Sequence, residues 1–290
     1  MEGFIHQVVG GLAAGGIYAG IALALVMIYQ ATHLINFAQG EMAMFSTYIA
    51  SGLINAGLPY WLAFVLTVAI SFVGGVAIQR IVIKPVERAP HLTVVVVFIG
   101  MLVIFNSLAG WIFGHMLKTF PSPFPEANRW SNPYVSPHDL GSVGVSLVVL
   151  ALVFCFFRYT SLGLAMRAAA QNDVSSRLAG IRVGWMLALG WGLASAIGAI
   201  AGMMVAPVVF LDPNMMSGIL LYAFAGALLG GIDSPGGAVL GGFIVGVAEN
   251  LLGAYVIGTE LKLTVALVLI VAVLVVRPAG LFGRRYVVKV

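Results

Sequence analysis

The chain has 290 residues, 61% of them apolar and 8% charged, with a net charge of +4. Soluble domains carry about 25% charged residues, and several runs here reach the ~20 apolar residues that cross a bilayer. The chain therefore reads as an all-α polytopic membrane protein. Its positive charge lies mostly in loops and bears on orientation and anionic lipid, not on nucleic acid. The single Cys155 excludes an intrachain disulfide and a cysteine-based metal site.

In chain order, apolar runs predict about nine transmembrane helices, at about 8–29, 41–57, 61–80, 92–114, 143–158, 184–206, 217–232, 236–256 and 262–277. Met1 to Gln7 contains Glu2 and no Lys or Arg, so no basic n-region of a secretory signal is expected. Basic residues decide the sidedness. Arg80, Lys84 and Arg88, then Arg158, Arg167, Arg177 and Arg182, then Arg277, Arg284, Arg285 and Lys289 share one face if the odd spans run inward. Only Lys118, Arg129 and Lys262 fall opposite. This sets the N-terminus outside and the C-terminus in the cytosol.

The connection after the first span is unusual. Residues 34–43 carry Asn36, Gln39 and Glu41 between two apolar segments, and no Lys or Arg occurs before Arg80. Backbone that leaves the helix at membrane depth needs protein or a watery cavity to satisfy it. One reading is a broken or re-entrant segment facing the interior. The other is a tight interfacial loop, with Glu41 favoured by the dipole at a helix start.

Five prolines, Pro121, Pro123, Pro125, Pro133 and Pro137, interrupt residues 116–141 and predict an irregular external loop, with Trp130 and Tyr134 at the interface or against a partner. The next connection, 160–183, is polar, alanine-rich and basic. Read as helix, Met166, Ala170 and Val174 share one face while Arg167, Gln171 and Asn172 point elsewhere, and Gly180 breaks the run. It is either a cytosolic docking surface or a loop carrying orienting arginines. Farther on, Asp233 to Gly236 has turn chemistry, and Pro235 would open the following helix.

Glycines four residues apart occur at Gly11/Gly15, Gly16/Gly20, Gly198/Gly202, Gly226/Gly230, Gly237/Gly241 and Gly242/Gly246. Small residues at that spacing let helix backbones approach closely in lipid, so together the pairs predict a compact bundle. Motifs of chemistry are missing. The sequence has no Gly-Lys pair for a P-loop, no HExxH and no GxSxG, so neither a catalytic nor a metal site is expected. The ionisable candidates within spans are Glu41, Asp233 and Glu249 beside Asn250. Charge at bilayer depth costs about 2.5–3.5 kcal/mol, so Glu249 and Asn250 either face a cavity or subunit contact, or sit at the interface.

Several stretches together resemble the LivH-type permease subunit of branched-chain amino-acid ABC importers, within the wider sugar and urea permease group. INFAQGE at 35–41 looks like the signature after that family's first span, and IKPVERA at 83–89 is similar to its first basic loop. LGLAMRAAAQN at 162–172 with LAGI at 178–181 matches its cytosolic coupling segment; residues 231–242 and RPAGLFG at 277–283 match later landmarks. Gln39 stands where many relatives are expected to carry histidine. The resemblance covers essentially the whole chain as one permease domain, 1–290.

The resemblance implies a ten-span permease fold lacking its first span. It also implies partners: two ATPase subunits, a second permease subunit (LivM-like, or another copy of this chain) and an extracytoplasmic substrate-binding protein. The location would be the bacterial inner membrane, with no cofactor in this chain. The expected coupling residues are Arg167, Gln171, Asn172, Arg177 and Gly180. The expected pathway residues are Asn36, Gln39, Glu41, Glu249 and Asn250. Substrate would be a branched-chain or other apolar amino acid, with urea or a short amide as alternative. A self-sufficient secondary transporter or channel is the competing class, since broken helices would suit it too.

Overall fold

A computed structural model describes residues 2–32, 34–87, 89–124 and 136–283. Arg88, Pro125, Arg129, Trp130, Pro133, Tyr134, Arg284, Arg285 and Lys289 lie outside the described residues, and with them much of the expected external loop and the basic tail. In order the helices are α1 (Glu2–Thr32), α2 (Gln39–Asn55), α3 (Tyr60–Ile78), α4 (Lys84–Val86), α5 (His91–Phe113) and α6 (Pro137–Tyr159). They continue as α7 (Ser161–Gln171), α8 (Asp173–Leu178), α9 (Val183–Val209), α10 (Ser217–Gly230), α11 (Pro235–Leu252) and α12 (Lys262–Val276). Among the described residues no β-strand occurs, only one bridge between Lys118 and Leu211.

All nine expected segments are helical, but they differ in reach. Gly3–Gln30, Tyr60–Val86, His91–Phe113, Pro137–Tyr159, Val183–Val209 and Pro235–Ile257 are six stretches long and apolar enough to cross a membrane. The remaining three are shorter: α2 has 17 residues, α10 has 14 and α12 has 15. At 1.5 Å per residue these extend about 21–26 Å, less than a ~30 Å hydrocarbon layer.

Burial sorts the helices into a centre and a rim. The most apolar stretch of α1 is 89% buried and that of α9 72%, against 6% for α6. The rim helices turn Val65 and Val73 of α3, Val96 and Val103 of α5, Val148 and Leu152 of α6, and Val271 and Val275 of α12 outward. Apolar side chains on an outer surface are stable against lipid and costly against water. That distribution makes the chain a multi-pass membrane protein.

Glycine sets how closely the central helices meet. A Cβ on Gly11 would come 2.8 Å from Val247 Cα, and one on Gly15 2.9 Å from Phe243 Cα, so α1 and α11 touch backbone to backbone. Gly242 and Gly246 form the reciprocal half of the seam, against Ala19 and Gly15. Gly226 and Gly230 of α10 face Gly241, Gly242 and Gly237 of α11 in the same way. Close backbone approach gains dispersion contact where lipid offers no hydrophobic drive between helices. Gly198 and Gly202 of α9 likewise meet Gln39, Ala43 and Thr47 of α2, so the expected compactness resolves into three defined seams.

Contacts also sort the two ends of the bundle. The Arg80 guanidinium lies 3.9 Å over the Trp185 ring, which brings the end of α3 to the start of α9. Gln30 Nε2 donates to the Asp233 carbonyl at 3.0 Å, bringing the end of α1 to the α10–α11 turn. Leu281 and Phe282 N–H donate to the carbonyls of Leu229 and Gly230, so the 277–283 segment lies along that turn. Arg80, Arg182 and Arg277 therefore gather at one end. Lys118 and Lys262 sit at the other, where Lys262 Nζ donates to Asn250 and Lys118 lies 5.9 Å from the Tyr48 and Phe113 rings.

Candidate functional site

The first polar break is a re-entrant piece of chain. Asn36 and Gln39 are wholly buried, and Glu41 nearly so. Ala38 N–H donates to Asn36 Oδ1 at 3.1 Å, a local turn that asparagine stabilises, and Asn36 Nδ2 reaches Gln39 Oε1 at 3.5 Å. Gln39 Nε2 donates to the Ala194 carbonyl at 3.0 Å. Ala194 lies eleven residues into α9, so about 16 Å along its axis, near mid-helix. The chain leaves α1 at Thr32 and climbs back to that depth before α2 begins. This geometry separates the two readings of the segment: it is a break inside the protein, not a tight interfacial loop.

A second break meets it from the other end. Asn106 Nδ2 on α5 donates to the Pro213 carbonyl at 2.9 Å, to Asn214 Oδ1 at 3.1 Å and to Glu41 Oε2 at 3.4 Å. The segment between α9 and α10 therefore dips to the level of Glu41. A Cβ on Gly40 would lie 3.4 Å from the Cβ atoms of both Met216 and Leu220, so the first turns of α2 and α10 abut. Asn106, Pro213 and Asn214 carried no signal in the sequence. Asn106 is one of a few polar residues in a mostly apolar span, and only its partners reveal its place.

Glu249 and Asn250 form a separate cluster. Tyr18 OH donates to Glu249 Oε2 at 2.7 Å, and Tyr18 stacks on Tyr222 with ring centroids 5.1 Å apart. Lys262 Nζ lies 3.9 Å from Glu249 Oε1 and donates to Asn250 Oδ1 at 2.9 Å. Asn250 Nδ2 donates to the Gln7 carbonyl at 3.2 Å. The five expected pathway residues thus divide into a mid-depth group at the break and the start of α2 and a group tying α1, α11 and α12 at one end. Buried carboxylates are stable only with such partners, and Lys262, one of the three basic residues expected opposite the basic loops, supplies the charge.

The 160–183 segment is two helices, not one. Thr160 Oγ1 caps α7 by accepting from Gly163 N–H at 3.0 Å, and Asn172 Oδ1 caps α8 by accepting from Ser175 N–H at 2.9 Å. The helix restarts at Asn172, which breaks the expected face of Met166, Ala170 and Val174. The buried face is instead Gly163, Met166 and Ala169, and Ala169 packs against Val183 and Leu187 of α9. Val174 is turned out, with Leu164 and Leu178, the last 86% exposed.

The expected coupling residues have distinct surroundings. Arg167, Gln171 and Asn172 are exposed. Arg177 pairs with Asp173 at 3.1 Å along α8, a half-exposed pair of small energetic weight. Gly180 has φ +83° and no atom within 4 Å of a built Cβ, so backbone conformation rather than crowding calls for glycine there. The result is an exposed platform that carries apolar Leu164, Val174 and Leu178 as well as basic Arg167. A single helix would keep Val174 on one face with buried Met166, and the restart at Asn172 separates them. At the α10–α11 turn, Ser234 caps α11 and Pro235 opens it as expected.

Comparison with known proteins agrees with this architecture. Residues 7–274 match the family described as branched-chain amino acid transport system, permease component. The chain is 32% identical to the high-affinity branched-chain amino acid transport system permease LivH of Escherichia coli (strain K12), over 99% of this chain and 98% of that one. It is 31% identical to the corresponding permease BraD of Pseudomonas aeruginosa, with the same coverage. A probable LivH permease of Methanocaldococcus jannaschii is 27% identical over 91% of this chain and 87% of that one. Among solved structures, a chain of PsaBC from Streptococcus pneumoniae in complex with Fab aligns over 93% of this chain and 91% of that one. Its TM-score of 0.51 at 13% identity speaks to fold alone. By the matched span and near-full-length identity, the chain belongs to the branched-chain amino acid transport permease family.

Proposed function

We propose that the chain is the membrane-spanning permease subunit of an ATP-driven importer for branched-chain or other apolar amino acids. The observation that carries this reading is the near-full-length match to branched-chain amino acid permeases. A solvent-facing platform at the basic end supports it. Two ATPase subunits hydrolyse ATP, a second permease subunit completes the translocator, and an external binding protein delivers substrate. The chain crosses the bacterial inner membrane nine times, with the N-terminus outside and the basic end in the cytosol, as the charge asymmetry favours. The α2, α10 and α12 helices make the shorter crossings.

In this reading α7 and α8 rest in a groove on the ATPase, and closure of the ATPase pair moves them. Met166 and Ala169 carry that motion to α9, which they pack against. The α9 carbonyl at Ala194 holds Gln39, so displacement of α9 bears directly on the break at 34–38. Asn36, Gln39 and Glu41 then line the pathway when the two breaks part and seal it when they meet. Glu249 and Asn250 brace the outer end around α1.

The test is uptake of labelled leucine into vesicles holding this chain, its permease partner and the ATPase subunits, with the binding protein outside. ATP-dependent uptake of leucine, isoleucine and valine, with no competition from urea, is expected. Uptake that persists when the ATPase is omitted would make this a self-sufficient transporter.

A further inference from the structure

A cavity of about 340 Å³ opens where the platform meets the bundle, lined by Ala165, Ile181, Arg182, Trp185, Met186 and Leu189. That is at the lower end of the about 300–1,000 Å³ typical of small-molecule pockets. Its walls change character along α9. Arg182 precedes the helix, Trp185 and Met186 occupy its first turn, and Leu189 lies about 10 Å beyond Arg182 along the axis. Trp185 is 48% exposed, and one side of its ring is covered by the Arg80 guanidinium. Arg80 sits in a π-helical turn at Gln79–Ile83, and its Nε and Nη2 are buried with no hydrogen-bond partner. Neither Arg80 nor Arg182 forms an ion pair among the described residues.

We propose that this cavity holds an anionic phospholipid of the adjoining leaflet, its phosphate at Arg182 beside the Arg80–Trp185 stack and its acyl chain along Met186 and Leu189. Cationic charge at one end and apolar wall running into the hydrocarbon match a phospholipid along its length. Basic pockets between helices on the cytosolic side attract anionic headgroups, and tryptophan is favoured at headgroup level. A loop of a cytosolic ATPase would meet the Arg182 end but has no reason to reach Leu189. Ala165 belongs to α7, so the lipid touches both the platform and α9. The inference requires only that the chain spans a membrane; it stands whether or not an ATPase docks on the platform.

The experiment is native mass spectrometry of the purified complex from nanodiscs of phosphatidylglycerol or of phosphatidylcholine. Phosphatidylglycerol is expected to be retained on this subunit in preference to phosphatidylcholine. Arg182→Gln and Arg80→Gln are each expected to lower that retention about fivefold, the weight of one basic residue near an anionic surface. Arg182→Lys keeps the charge and should keep the lipid, which separates loss of the site from loss of the fold. Leu189→Trp fills the apolar end with both arginines intact and should also lower retention. Equal retention of the two lipids would overturn the proposal, as would a Leu189→Trp variant that binds like wild type, since diffuse charge attraction would then suffice. Displacement of the lipid by glycerol 3-phosphate would assign the pocket to a small soluble phosphate. Loss of ATPase subunit from Arg182→Gln with lipid unchanged would assign it to the ATPase.

Discussion

Two stretches of this apolar chain are conspicuously polar, 34–41 and 160–182, and they use polarity in opposite ways. In the first, Asn36, Gln39 and Glu41 are buried, and their side chains are engaged by Ala38, Ala194 and Asn106. In the second, Arg167 and Gln171 are exposed, and so are the apolar Leu164, Val174 and Leu178. The break is finished within the subunit. The platform is unfinished, with a buried underside on α9 and an outer face that none of the described residues covers. Polarity in a membrane protein therefore marks where the helical pattern is interrupted, and partners decide what the interruption is for.

This contrast predicts unequal responses to substitution. The largest loss of stability is expected at the seam supporting the break. A side chain at Gly202 would come within 2.9 Å of the Ala43 carbonyl and press on Thr47 Oγ1. Overpacking of this kind costs about 1–3 kcal/mol or more, so Gly202→Leu should lower the melting temperature in detergent markedly. Asn36→Leu comes next. It strips the partner from the buried Ala38 N–H, a loss of about 1–3 kcal/mol, and should unfold at lower denaturant than wild type. Normal stability in both variants would mean that the break is not held by the contacts described.

Gly180→Ala should have a smaller effect with a different cause. Nothing crowds the position, but a left-handed conformation costs an L-residue about 1–2 kcal/mol. Melting should fall by a few degrees, with coupling more affected than folding, because the turn aims α8 relative to α9. A Gly180→Ala variant as damaged as Gly202→Leu would erase the distinction between the two regions.

The helices were legible because uninterrupted apolar runs leave the backbone no alternative in lipid. The depth of the break was not. Polar residues announce an interruption, but only the Gln39 contact with mid-α9 reveals that the chain climbs back into the bundle. The split of the platform was missed for a local reason. Asn172 satisfies the first turn of α8 with its own side chain, which resets the helix and turns Val174 outward. Glu249 was singled out as a buried charge, yet its partner Tyr18 lies far away in sequence and Lys262 at the start of the next helix, and no periodicity links them. Individual glycine pairs were equally silent. Six share one spacing, and only packing tells which neighbour each one meets.

The central claim is that the 160–182 platform receives the ATPase, and Arg167→Glu with Arg177→Glu tests it most directly. Both side chains are exposed, where a substitution typically changes stability by no more than ~0.5 kcal/mol, so membrane abundance should match wild type. An anchor lost at a docking contact costs about 2 kcal/mol or more, at least a tenfold fall in subunit affinity. The measurement is ATP hydrolysis stimulated by loaded binding protein, alongside the amount of ATPase subunit retained on purification. The account predicts that both fall together at unchanged abundance; wild-type stimulation with full retention would contradict it.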